Sequence, residues 1–332
     1  MKLSVVIVAR NEEKNIKRCI ESVLIHTASI KDVEVLLVDS ASTDRTVEIA
    51  LHFPINIISL RPEWSLSPAA GRFTGVNHVT GEYLLIIDGD MELLKGWVEE
   101  ALNFLSMNLQ VAAVVGKLND IWLIPSGKKI VRGKISSGQS ARRLAFIFGS
   151  SVFRRDMLMQ VGNFQPFLRA EEEAEVSYRL TKAGYELFYL PYEAVNHYGA
   201  LRWSFAEFQR RLRSNLWAGM GDMLSWCLKN GYYKILWQRF CVFLMFFLIM
   251  LASLLSILVG IIFKSYCMFI AGGSLFLGFF LLMFIKKGSL YSGMLSIVNM
   301  AYITWSLMRG LVRKVPAPEK YPRDIVWVKK AV

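Results

Sequence analysis

From about residue 240 to 310 the chain is nearly continuous Phe, Leu, Ile, Met and Ser, and no other feature limits its fold so strongly. Phe240 to Phe263 and Tyr266 to Ile285 are each long enough to span a bilayer, for which about 20 apolar helical residues suffice. Only Lys264 and Ser265 separate them, so they predict a tight helical hairpin. Leu290 to Met308 carries Asn299 with several Ser and Gly, and reads as a third span or as a re-entrant or interfacial helix. Lys286, Lys287 and the tail beyond Arg309 are basic, and the positive-inside rule wants both on the cytoplasmic side of a membrane. Two spans satisfy that together with a cytoplasmic N-terminal domain; three do not.

Upstream of this tract, apolar and charged segments alternate as in a globular protein. The sequence therefore divides into a globular domain over 1–200, amphipathic segments over 201–235, membrane helices over 236–311 and a basic tail over 312–332. Within the amphipathic part Trp203, Phe205, Phe208, Leu212 and Trp217 interleave with Arg202, Arg210, Arg211 and Arg213. That pattern suits a helix lying in the membrane interface, or a packed surface helix. The net charge of +12 suits an anionic surface or a phosphorylated substrate. Nucleic acid is a poor partner, because zinc-ligand spacing, basic heptads and RNP-type aromatics are missing from the sequence. The four cysteines, Cys19, Cys227, Cys241 and Cys267, form no disulfide framework or CxxC site, which points to a reducing cytoplasm. The opening MKLSVVIVARNEE has too short an apolar run for a signal peptide and reads as a first strand.

Four more strand patterns follow Leu3 to Ala9: Val33 to Val38, Ile55 to Leu60, Tyr83 to Ile87 and Val111 to Val115. Helical patterns lie between them, one through Ile16, Cys19, Ile20, Val23 and Leu24, and another opened by Ser67-Pro68 and reaching about Val79. Apolar strands with helical crossovers imply an α/β domain with a mainly parallel sheet and helices on both faces. In such sheets ligands bind beyond the carboxyl ends of the strands. Acids gather there: Arg10-Asn11-Glu12 follows the first strand, Asp39 ends the second, and Asp88-Gly89-Asp90 ends the fourth. Asp39 or Asp44 taken alone is as easily a helix cap. Paired carboxylates at i and i+2 suit Mg²⁺ or Mn²⁺ held together with substrate phosphates. A glycine between them lets backbone come close.

The stretches SVVIVARNEEKNI, VEVLLVDSASTDRT, AAGRFTGVNHVTGEYLLIIDGDMEL, GSSVFRRDMLMQVGNF and EEEAEVSYRLTKAGYELFYLPYEAVNH occur in the order and spacing of a known family. In them the chain resembles a family 2 glycosyltransferase of the GT-A fold, from residue 3 to about 199. The resemblance departs at Ser40-Ala41-Ser42-Thr43-Asp44, where Asp-Gly-Ser-Thr-Asp is usual, and at Glu172-Glu173, where Glu-Asp is usual. It implies that Ala9, Arg10, Glu12 and Asp39 line a nucleoside pocket, with Asp39 accepting a hydrogen bond from the base. It implies that Asp88 touches the ribose or a metal-bound water and that Asp90 binds the metal, with His197 approaching the same metal or diphosphate. Glu173, with Glu172 the alternative, falls at the position of the catalytic base, which takes the acceptor hydroxyl's proton. Glu171 and Glu175 read as solvated charges complementing a helix N-terminus. His26, His52 and His78 read as structural. The basic residues Lys128, Lys129, Arg132, Lys134, Arg142 and Arg143 form a solvated face or guide a phosphorylated acceptor.

The implied activity is metal-dependent, inverting transfer of a sugar from a nucleotide-sugar donor to a polyprenyl phosphate or lipid-linked glycan at the cytoplasmic membrane. A processive polysaccharide synthase is the nearest rival, but Gln209-Arg210-Arg211-Leu212-Arg213 does not match its QxxRW motif. A glycosidase and an inactive membrane scaffold are the rivals from other classes.

Overall fold

The computed structural model describes residues 1–123, 129–133, 140–199, 205–213 and 216–331. Lys128, Lys134, Arg202 and Trp203 lie outside the described residues. The chain divides into two compact units, Met1–Leu201 with Pro316–Val332, and Arg202–Val315.

The first unit begins β1 (Leu3–Ala9), α1 (Ile16–Thr27), β2 (Val33–Asp39), α2 (Thr46–Ala50), β3 (Asn56–Ser59), α3 (Pro68–Asn77) and β4 (Tyr83–Asp88). It continues with β5 (Met91–Leu93), α4 (Trp97–Met107), β6 (Val111–Leu123), β7 (Lys129–Gly133), β8 (Arg142–Arg143) and β9 (Ser151–Arg154). Then come α5 (Arg155–Gln160), α6 (Glu172–Lys182) and β10 (Glu186–Gly199). The path through the sheet runs β3-β2-β1-β4-β9-β6-β10-β5, with β7 beside β6 and β8 beside β10.

The β3-β2-β1-β4 portion is parallel, as the strand and helix alternation requires. The other half is mixed, because β9 inserts antiparallel between β4 and β6. Val111 to Val115 proved to be only the start of β6, whose polar second half, Gly116 to Asp120, hid its continuation toward the site. Alternation places Leu3, Val5 and Ile7 of β1 on one face against α1 and α4, and Val6 and Val8 on the other against α3 and α6. On α3, Gly71 and Gly75 lie one turn apart over β1. A Cβ on either would meet a Val8 or Val6 methyl at 2.5 or 2.3 Å, so glycine is what brings this helix down onto the strand.

The residues read from the sequence as a basic tail supply one more strand. Beyond a short 3₁₀ turn at Pro318–Lys320, β11 (Val326–Lys329) pairs antiparallel with β3. Tyr321, 2% exposed, packs edge-on against Trp64, Phe73 and Phe167 and donates its hydroxyl proton to the Ser65 carbonyl at 3.1 Å. Lys329 Nζ donates to the carbonyls of Leu51 and Phe53, both at 2.8 Å.

The second unit contains α7 (Phe205–Arg213), α8 (Ala218–Asn230), α9 (Tyr233–Ile262), α10 (Tyr266–Lys287) and α11 (Leu290–Gly310). Among the described residues α9 and α10 are the helices long and apolar enough to cross a membrane, with mean hydropathies of 2.9 and 2.3. Little of either is covered by protein, and Leu248, Leu254, Leu277 and Leu282 stand exposed, which water would penalise and hydrocarbon would not. Small residues close the hairpin: Ser253 Oγ donates to the Gly272 carbonyl at 2.7 Å, and Gly260 lets Phe269 approach. By contrast α11 packs on α8, with Gly310 against Gly221 and Ser306 Oγ donating to the Trp217 carbonyl at 2.7 Å.

Candidate active site

Register alone gathers the acids. Ala9 lies opposite Asp39 and Val8 opposite Asp88, so β1, β2 and β4 end on a common rim. The loops that follow are stitched together. Asn11, in a left-handed turn at φ 56°, accepts from Thr43 N at 2.8 Å, while its own N–H donates to Ser42 Oγ at 2.9 Å. Asp44 accepts from Glu13 N and Thr46 N at 3.1 and 3.0 Å, which makes it a local cap. Asp39 is 1% exposed. Its Oδ2 accepts from Ser42 N and Ser59 Oγ at 3.1 and 3.0 Å, but its buried Oδ1 has no partner. A buried carboxylate oxygen without a donor is costly, and one at the rim suits a ligand N–H. Arg10 is exposed beside it.

Between the paired aspartates Gly89 has a reason the sequence did not show. A Cβ there would meet Ala9 Cβ at 2.8 Å and Glu12 Cγ at 3.4 Å, so the glycine serves the packing of strand ends. Glu12 is half-buried near Asp88 and Asp90. Burial, opposed by a hydrogen bond from Asn15 and reinforced by those two acids, pushes its carboxyl up to about 7.

Sequence reasoning missed the group that binds this cluster together. Arg72 projects from α3 and is 4% exposed. Its Nη2 donates to Asp88 Oδ1 and Oδ2 at 3.0 and 3.2 Å and lies 3.5 Å from Glu173 Oε1, while Nη1 pairs with Glu172. One guanidinium thus joins the tip of β4 to the first turn of α6. The signal was present: Arg72 stands in PAAGRFTGVN, a helix with no other charge. Glu172 is buried, which pushes its carboxyl up against the pull of Arg72, whereas the Glu173 side chain is 26% exposed. Glu175 differs from its reading as a solvated charge. It is fully buried and accepts from Arg179 Nε and Nη2 at 2.7 and 2.6 Å, and Arg179 in turn holds the Asn163 carbonyl.

On the other side of the rim, antiparallel pairing of β10 with β5 sets His197 opposite Met91 and next to Asp90. His197 Nε2 lies 3.2 Å from Asp90 Oδ2, and Nδ1 lies 2.8 Å from Asp120 Oδ1 on β6. Burial would lower the imidazole's pKa, but the bonds to Asp90 and Asp120 prevail and push it up to about 9. Asp90 Oδ1 is buried and has no hydrogen-bond partner. Among the described residues no group of three or more His, Cys, Asp and Glu side chains is arranged to hold a metal.

Residues 4–161 match the family model for Glycosyl transferase family 2. Those residues are a family 2 glycosyltransferase domain. The chain is similar to glycosyltransferase AglE of Haloferax volcanii, 27% identical over 68% of this chain and 74% of that protein. It is similar also to the poly(ribitol-phosphate) beta-glucosyltransferase of Bacillus spizizenii, 33% identical over 36% of this chain and 20% of that one. Among solved structures, GalNAc-T7 with UDP, GalNAc and Mn²⁺ superposes with a TM-score of 0.52 at 18% identity, over 64% of this chain and 47% of that one. That likeness shows a shared GT-A-like fold. The acids, Arg72 and His197 stand at the carboxyl ends of the strands, the rim at which open α/β sheets bind ligands.

Proposed function

We propose that the protein is a membrane-anchored inverting glycosyltransferase that moves one sugar from a nucleotide-sugar donor to a polyprenyl phosphate or lipid-linked glycan. The observation that carries this reading is the rim itself. A partnerless Asp39 Oδ1 marks one end, a partnerless Asp90 Oδ1 beside His197 the other, and Glu172 and Glu173 are drawn toward Asp88 by Arg72. Asp39 would accept from the base, and Ala9, Arg10 and Glu12 would flank it.

The donors fit a divalent cation in part. Asp90 Oδ1 is a ligand of the kind Mg²⁺ and Mn²⁺ take, His197 Nε2 could join it only after a cation displaced its proton, and donor diphosphate and water would complete the set. Asp120 orients the imidazole through Nδ1, as a carboxylate does behind a metal-bound histidine. Such a cation supplies positive charge where the leaving diphosphate becomes more negative. Asp88, tied to Arg72, would touch the ribose or a metal-bound water.

Glu173 is the better base, because Glu172 is buried against Arg72 while the Glu173 side chain is 26% exposed. With a glycan acceptor its carboxylate takes the attacking hydroxyl's proton as the oxygen bonds to the anomeric carbon and the bond from that carbon to the diphosphate breaks; an ionised lipid phosphate would attack through its own anionic oxygen. One displacement inverts the centre. The apolar α9 and α10 would confine the enzyme to the plane of its acceptor, with the catalytic domain on the cytoplasmic face.

The test is nucleoside diphosphate release by the full purified chain over a panel of nucleotide sugars, with product mass determined. A single added sugar, loss of release in EDTA and a folded but inactive Asp90→Asn variant are expected. Full activity in excess EDTA overturns the metal assignment, a ladder of products favours a processive synthase, and free sugar without nucleotide use favours a glycosidase.

A further inference from the structure

Nearly all of the chain's net charge of +12 belongs to the helical unit. Residues 202–315 hold thirteen lysines and arginines against Glu207 and Asp222, a surplus of eleven. Asp222 is paired with Arg313 at 2.6 Å. Two acids cannot neutralise thirteen cations, so this unit presents a net positive field.

Part of that field surrounds a cavity of about 380 Å³ inside the unit, lined by Arg211 of α7, Lys286 and Lys287 of α10, and Asn299 of α11. Phe243 of α9 and Leu295 of α11 belong to its apolar wall. Asn299 Oδ1 is buried with no hydrogen-bond partner. An amide can turn either its oxygen or its NH₂ to a ligand. The hairpin fixes the depth. Its turn joins the end of α9 to the start of α10, so Phe243, in the third turn of α9, and Lys286, in the last turn of α10, both belong to the open end. There a bilayer passes from chains to headgroups, and lysines at such a level attract anionic heads.

We infer that this cavity binds a single-chain lipid phosphate, its phosphate among Arg211, Lys286, Lys287 and Asn299 and the first units of its chain against Phe243 and Leu295. The class rests on the acceptor proposed above. Arginine and lysine together match a phosphate, by bidentate hydrogen bonding and point charge respectively. Apolar walls require that the anion carry hydrocarbon. A volume at the small end of ligand pockets admits one chain more readily than two.

The experiment uses the full chain in phosphatidylcholine nanodiscs doped with geranylgeranyl phosphate, geranylgeraniol or dioleoyl phosphatidic acid, with lipid retention read by native mass spectrometry. Geranylgeranyl phosphate should be retained preferentially, and excess inorganic phosphate should not displace it. A lysine facing an anionic headgroup contributes roughly fivefold, so Lys286→Gln/Lys287→Gln should weaken retention about thirtyfold. Asn299→Asp, which places a negative charge in the pocket, should abolish it. Undiminished retention by these variants, or equal retention of the alcohol or the two-chain lipid, overturns the inference. Nucleotide-sugar binding by the same variants is read in parallel and should not change. Lipid retention without nucleotide-sugar binding sinks the catalytic reading alone, and the reverse sinks this one alone.

Discussion

Replacing Arg72 by Met keeps much of the side chain's length and removes its charge. Three carboxylates then lose a cation, but not equally. Asp88 and Glu173 keep 32% and 26% of their side-chain surface in solvent, where water screens a lost ion pair to a small cost. Glu172 keeps 9%, so the penalty concentrates there. Breaking a buried pair by removing one partner costs about 3–5 kcal/mol. For a unit of this size each kcal/mol lowers Tm by about 2–4 °C, which gives a fall of about 6–20 °C. Burial already raises the Glu172 carboxyl, and without Arg72 a backbone hydrogen bond is left to oppose it against the added push of Asp88 and Glu171. The folded variant then binds more protons than the unfolded chain, so its stability falls as pH rises above the ordinary carboxylate pKa of about 4.3. The Tm gap to the parent should therefore widen from acid toward neutral pH. Arg72→Met/Glu172→Gln should recover most of the loss, because it removes the stranded charge. Scanning fluorimetry of the full chain in detergent measures all three proteins. A gap under about 4 °C at neutral pH, or a Glu172→Gln partner that recovers nothing, would refute the charge hub.

Glu173→Gln should retain donor binding by titration while turnover falls on the order of 10²-fold or more; if Glu172→Gln is the inactive variant instead, the base is Glu172. Glu12→Gln should stabilise the fold at neutral to alkaline pH. The folded carboxyl stands at about 7 against an ordinary 4.5, so the parent loses stability as pH climbs between those values. The variant escapes a loss of at most about 3 kcal/mol and gains nothing below that window; a Tm difference independent of pH contradicts this. Tyr321→Ala should cost about 3–5 kcal/mol through its packing against three rings. Tyr321→Phe should cost only about 1 kcal/mol for the lost hydrogen bond, and equal Tm values for the two would show that the rings contribute little.

The parallel strands were legible because each is a short apolar run with turn signals at its ends, and Asp39, Asp88 and Asp90 were legible because a charge ending such a run has no packing reason to be there. The antiparallel insertion of β9 was not, since Ser151–Arg154 is four residues long and its partners lie far along the chain. Asp120 escaped notice because β6 turns polar after Val115 and because its meaning depends on His197, whose Nδ1 lies 2.8 Å away. Arg72 escaped for a related reason. One arginine in a helix carries no periodic signal, and only the fold shows that it faces three carboxylates. The tail reads as basic because six lysines and arginines stand against Glu319 and Asp324, yet Tyr321 and the Val326–Lys329 strand decide where it goes.

That last strand settles a matter of parity. β1 and β11 belong to the same sheet, hydrogen-bonded through β2 and β3, so the chain ends in the compartment where its first strand lies. Any membrane crossings made between residues 202 and 315 must then come in an even number. Crossings by α9 and α10, the two helices long and apolar enough, would use two. α11 would make a third, and an odd count would tear β11 from β3 and strand Tyr321 outside its ring of aromatics. The sheet edge would therefore act as a latch on topology, and with two crossings it would leave α11 on the side from which α9 departs.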